Sequence, residues 1–114
     1  MAPAAVDPPP AVTLDALRRR LALPGLELAE PPVRVTGGYE THIYALRLAG
    51  APPELSGPLI LRLFVRPGSA IGALVEYDVY QFLAGAGFPA PFAHQVCDDG
   101  AGLEGPWILM DRVP

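Results

Sequence analysis

The stretch "PLILRLFV" (residues 58–65) carries almost nothing but large apolar side chains, and it closes on the breaker "RPGS" (residues 66–69). A short, nearly continuous apolar run bounded by turn residues is the pattern of a strand buried on both faces, because a half-exposed strand would alternate. Arg62 interrupts the run at its middle. An unpaired charge there would cost several kcal/mol, so the strand demands an anionic partner from a neighbouring element.

Upstream of this strand, "EPPVRVT" (residues 30–36) and "THIYALRL" (residues 41–48) alternate apolar with other residues, and the glycine pair Gly37-Gly38 joins them as a hairpin. "AGAPPELSG" (residues 49–57) is a second turn. Downstream, Ser69 is placed to cap a helix over residues 70–84, which "GAG" (residues 85–87) ends. Val75, Val79, Phe82 and Leu83 recur at helical spacing, so this reading turns them toward the sheet as one apolar stripe. Glu76 flanks that stripe and is the candidate partner for Arg62. Two further strands follow, "FPAPFAHQVC" (residues 88–97) and "PWILMDRV" (residues 106–113), separated by the turn "DDGAGLEG".

At the other end, Thr13 reads as an N-cap, with Asp15 in the first turn and Leu14, Leu17 and Leu21 along one side of a helix over residues 13–23 that "LPG" terminates. Residues 1–12, with Pro3 and Pro8-Pro9-Pro10, are expected to form a flexible tail. The fold class that satisfies this order is α+β: a five-stranded, mainly antiparallel sheet packed by one main helix and preceded by a short one, in a single domain over residues 13–114.

Composition narrows the function. A chain of 114 residues buries one core. Its formal charge is −4 and its eight basic residues are all arginines, with Arg18-Arg19-Arg20 as the one cluster. That cluster reads as the solvated face of the short helix, so nucleic acid is not an expected partner. Cys97 has no second cysteine to pair with, and with His42 and His94 it makes no zinc spacing, which leaves it as a small apolar strand residue. The N-terminus lacks the basic and apolar regions of a secretion signal, and no run is long enough to span a membrane, so the expected location is the cytoplasm. Hydrophobic residues make up 51% of the chain and mean hydropathy is +0.30, high enough to expect an apolar surface that a partner chain covers.

By itself the glycine pair signals a hairpin turn, since glycine accepts positive φ without steric cost. It lacks the G-x-G-x-x-G spacing leading into a helix, and it lacks the Gly-Lys-Ser/Thr ending of a Walker A loop. A hairpin tip can still cover polyphosphate with its N–H groups if other residues hold the nucleotide beneath it. The planar fork of Arg62 could serve both Glu76 and the phosphates, and the edge from Asp111 to Val113 could bond an adenine.

Four pieces, in order and at suitable spacing over residues 32–114, resemble the N-terminal lobe of the aminoglycoside phosphotransferase family, which are small-molecule kinases with a protein-kinase-like fold. They are "VTGGYETHIYALRL", "LILRLF", "VEYDVYQFLAGAGFPAPF" and "PWILMDRVP". The resemblance implies that Gly37, Gly38, Tyr39, Glu40 and Thr41 form the phosphate-covering loop. It implies that Arg62 contacts phosphate and that Glu76 holds Arg62. Met110 would line the back of the adenine pocket, with the Asp111 carbonyl and the Val113 N–H as adenine partners. Glu40 departs from the family's small polar residue at that position and must point away from the phosphates. ATP with Mg is the implied cofactor pair. The catalytic aspartate of the His-Gly-Asp type and the magnesium-binding aspartate belong, in that family, to a C-terminal lobe that this sequence does not contain. The expectation is therefore an ATP-binding half, inactive alone, of an enzyme acting on a small hydroxylated molecule such as an aminoglycoside, another antibiotic, a sugar or choline. The alternative is a non-catalytic module of the same fold that binds or regulates a partner protein.

Overall fold

A computed structural model describes residues 7–37 and 41–113 of the chain. Among these, β1 (Glu27–Gly37), β2 (Thr41–Ala49), β3 (Leu59–Phe64), β4 (Ala93–Cys97) and β5 (Trp107–Asp111) form one sheet in the order β1-β2-β3-β5-β4, with every neighbouring pair antiparallel. The apolar run lies at the centre of this sheet. Leu59, Leu61 and Leu63 are fully buried on one face, while Ile60, Arg62 and Phe64 alternate onto the other. Each fully buried leucine contributes about 2 kcal/mol over an exposed one.

Two helices cover the sheet, one on each face, as a strand buried on both sides requires. α1 (Pro10–Leu21) buries Thr13, and its Ala16 and Leu17 join a cluster with Leu26, Tyr44, Leu46, Leu48, Trp107 and Leu109. α2 (Ala70–Gly85) sets Ala73 against Phe64, Ala93, Val96, Ile108 and Met110 on the opposite face. The three arginines of α1 are engaged locally. Arg18 bonds the Leu26 carbonyl and Glu27, Arg19 pairs with Asp15, and Arg20 reaches the Val96 carbonyl of β4.

Several local expectations change. α1 begins at Pro10, within the stretch expected to be a tail, and Thr13 is buried inside the helix and does not cap it. A proline in the first helical turn loses nothing, because the first N–H groups of a helix have no intrahelical partner. Asp7, also in that stretch, accepts hydrogen bonds from the Tyr44 hydroxyl and from Arg34. The helix stops at Leu21 before "LPG" is reached, because Ala22 takes up a left-handed conformation and the Leu23 N–H bonds the Arg18 carbonyl. Ser69 precedes α2 but makes no side-chain cap, since its hydroxyl donates to the Arg66 carbonyl. β1 starts earlier than expected and carries three register shifts around Pro31-Pro32, which an edge strand tolerates.

The largest correction concerns the face of α2. Val75, Val79 and Phe82, expected to pack on the sheet, are 57%, 51% and 71% exposed. The row that meets the sheet is Ala73, Tyr77 and Tyr80. This helix is apolar nearly all round, with Ile71 and Leu74 exposed as well, so hydrophobic spacing does not select one face. Small Ala73 permits close approach to the sheet, and Glu76, beside it in the same row, comes to face Arg62. No helix among the described residues is long and apolar enough to cross a membrane.

Candidate functional site

The demand made by Arg62 is met. Its Nε donates to Glu76 Oε2 at 2.6 Å and its Nη2 to Oε1 at 3.1 Å, a two-point pairing of guanidinium and carboxylate. The two side chains are 26% and 29% exposed, so the pair stands at the rim of the core and remains open to a ligand. The Arg62 guanidinium also lies 5.2 Å from the centre of the Phe64 ring, which rigidifies its position through a cation–π contact. Glu76 uses two nitrogens of the fork, and a guanidinium has donors beyond those two.

Strand register determines what surrounds this pair. Arg62 lies opposite Ile43 of β2 and Ile108 of β5, and Ile60 lies opposite Ala45 and Met110. The α2 face of the sheet therefore has an apolar half and a polar half that meet at Arg62. The apolar half is a hollow of about 340 Å³ walled by Val35, Ile43, Ile60, Tyr80, Met110 and the Asp111–Val113 edge. The polar half, of about 460 Å³, is walled by Thr41, Arg66, Ser69, Gly72 and Glu76. Arg62 lines both.

The model of the phosphotransferase enzyme family matches residues 33–114. The chain belongs to that family. Comparisons with curated proteins and with solved structures return no match. Membership in the phosphotransferase family supports a kinase-like phosphotransferase, whose chemistry in general uses ATP and a metal. The matched region starts within β1, so α1, which covers the second face of the sheet, lies outside it.

Within this phosphotransferase domain the sequence-derived residues fall as follows. Gly37 ends β1 opposite His42, and Thr41 opens β2 opposite Phe64 and lines the polar hollow. Gly38, Tyr39 and Glu40 lie outside the described residues. Met110 is buried at the back of the apolar hollow. Asp111 ends β5; its N–H donates to the Phe92 carbonyl at 2.9 Å and its carboxylate bonds His94. Val113 lines the outer end of the same hollow and is exposed. One cleft thus gathers Thr41, Arg62, Glu76, Met110, Asp111 and Val113.

Sequence reasoning missed Val35, Ile43, Ile60, Tyr80 and Arg66. The signal for Ile60 was present, since it precedes Arg62 by two and must share its face. Ile43 needed the hairpin register, and Tyr80 needed the orientation of α2. Among the described residues, no three His, Cys, Asp or Glu side chains converge in a way that could hold a metal.

The strongly shifted groups lie away from the cleft. Burial pushes the Tyr44 phenol up to about 12, helped by its hydrogen bond to Asp7. Burial likewise raises the Cys97 thiol to about 11, with the bond to Asp99 adding to the effect.

Proposed function

We propose that this chain is the ATP-holding lobe of a small-molecule phosphotransferase. The observation that carries the reading is the position of Arg62, which stands where an apolar hollow sized for a base meets a polar one suited to phosphates. Adenine would lie against Ile43, Ile60 and Met110, with the Asp111 carbonyl and the Val113 N–H as its edge partners. Among the described residues the Val113 N–H makes no hydrogen bond, which suits it to that role. The polyphosphate would run past Arg62 toward Thr41 beneath the glycine hairpin, with Glu76 fixing the guanidinium on which the charge rests.

Phosphoryl transfer is achieved mainly by positioning and charge stabilisation. The residues of this chain supply the first and part of the second. A magnesium ion, when bound, would neutralise phosphate charge, and its ligands together with the catalytic aspartate would come from a second lobe. The acceptor would be a small hydroxylated molecule recognised mostly by that lobe, and turnover by this chain alone is not expected.

The test is a titration of Mg-ATP into the chain, followed by amide NMR shifts, beside the same titration of Arg62→Ala. The expected result is affinity about tenfold weaker in the variant, the equivalent of one charge-assisted contact. Equal affinity would overturn the role given to Arg62. A second reading, a non-catalytic module that docks on a partner protein, draws support from the exposed row Ile71, Val75, Val79 and Phe82. It predicts that nucleotide leaves the amides around Arg62 and Met110 unmoved.

A further inference from the structure

We propose that His94 is a positioning residue for the nucleotide edge, gripping Asp111 from the face of the sheet opposite the cleft. This inference rests on the ATP reading above and gives that site a part that lies outside its walls. Met110 faces the cleft, so strand alternation sends the next side chain, Asp111, through to the α1 side of the sheet. There Asp111 Oδ1 meets His94 Nε2 at 2.7 Å.

The geometry of β4 is built for this contact. Ala93 pairs with Met110 and Gln95 with Leu109, so a register shift leaves His94 as an extra residue between them. Bulges of this kind re-aim a side chain, and here the bulged residue is the one that turns to Asp111. Its side chain is only 9% exposed, and the Phe92 ring packs edge-on against the imidazole with ring centres 4.9 Å apart. The hollow beside His94 is walled by Leu21, Leu23, Leu55 and the carboxylate-bearing Glu54, so α1 and the turn before β3 close it in.

Three bonds therefore fix the end of β5: the Asp111 N–H to the Phe92 carbonyl, the Asp111 carboxylate to His94, and the Arg112 N–H to the Pro58 carbonyl at 3.0 Å. Two of them use backbone groups that any sequence would supply. The third depends on two side chains, those of His94 and Asp111. Holding this segment in its bonded conformation before nucleotide arrives removes an ordering cost from binding the base, and the phosphate half of the cleft gains nothing from it.

That asymmetry defines the experiment. The full chain, His94→Leu, His94→Gln and Asp111→Ala are each titrated with Mg-ATP and, separately, with inorganic tripolyphosphate. Amide hydrogen exchange at Asp111 and Arg112 is measured in parallel. His94→Leu is expected to weaken ATP about five- to tenfold and to speed exchange at both amides by a similar factor, while tripolyphosphate affinity stays within about twofold of the parent. His94→Gln, which keeps a donor at the same reach, should recover most of the loss. Asp111→Ala changes a half-exposed side chain and keeps the backbone carbonyl, so it repeats the pattern even if His94→Leu fails to fold. Unchanged ATP affinity in the variants, or equal losses for ATP and tripolyphosphate, would overturn the proposal. A parent chain that ignores ATP would overturn the nucleotide reading itself, and with it the latch, before any variant is compared.

Discussion

Replacing Glu76 with alanine tests the central pairing, and the structure limits the size of its effect. A fully exposed ion pair is worth at most about 1 kcal/mol, and stripping one partner from a fully buried pair costs about 3 to 5 kcal/mol. Arg62 and Glu76 are about a quarter exposed, so solvent screens part of the charge left behind, yet their contact is two-pointed and braced by Phe64. The expected loss for Glu76→Ala is about 2 kcal/mol, a fall of roughly 10 °C in Tm for a domain of this length. Part of that loss is the cost of stranding Arg62, so the single variant does not isolate the pair. The assay is a double-mutant cycle of Arg62→Ala, Glu76→Ala and the double variant by urea unfolding, in which stranding cancels. A coupling of about 1.5 kcal/mol is expected. A coupling below about 0.5 kcal/mol would show that α2 is held by its aromatic packing alone, and that Arg62 needs no carboxylate at its position in β3.

Gly105→Ala should destabilise the fold by about 3 kcal/mol in urea unfolding, because a methyl group on Gly105 would overlap the Phe64 carbonyl oxygen and neither backbone can yield cheaply. Ala22→Gly should stabilise by about 0.5 kcal/mol in the same assay, since φ 55° and ψ 41° strain an alanine and suit a glycine. Stability should decline in alkali. Both the Tyr44 and Cys97 values are raised on folding, so the folded chain keeps protons that the unfolded chain has already released, and stability falls from about pH 9 toward pH 12. Tyr44→Phe should flatten the upper part of that decline, between about 10 and 12, in urea midpoints measured across the range.

Much of the fold is legible in the order of its residues, because strand and turn signals are local. The apolar run at residues 59–64 announced a strand covered twice, and the glycines of "GAG" marked the end of α2, where Gly87 takes φ 78°. Helix boundaries were less legible. Pro10 begins a helix and Ala22 ends one, although composition marks the first as tail and the second as helix interior. Those outcomes follow from α1 docking on the sheet, where burial of Ala16 and Leu17 outweighs local preference.

The candidate site divides along the same line. Sequence alone determined that Arg62 needs a carboxylate and that Glu76 stood within reach, because a charge in a buried strand admits few alternatives. Placing the polar end of the last strand at the nucleotide edge drew on the family resemblance as well as on the change from apolar to polar residues after Met110. Which face of α2 turns inward was a tertiary decision, since an almost uniformly apolar helix carries no periodic signal and only the fit of Ala73, Tyr77 and Tyr80 against the sheet resolves it. The pairing of His94 with Asp111 was equally hidden: the two residues sit 17 apart in the chain, and only a one-residue register shift between β4 and β5 brings an imidazole and a carboxylate to 2.7 Å.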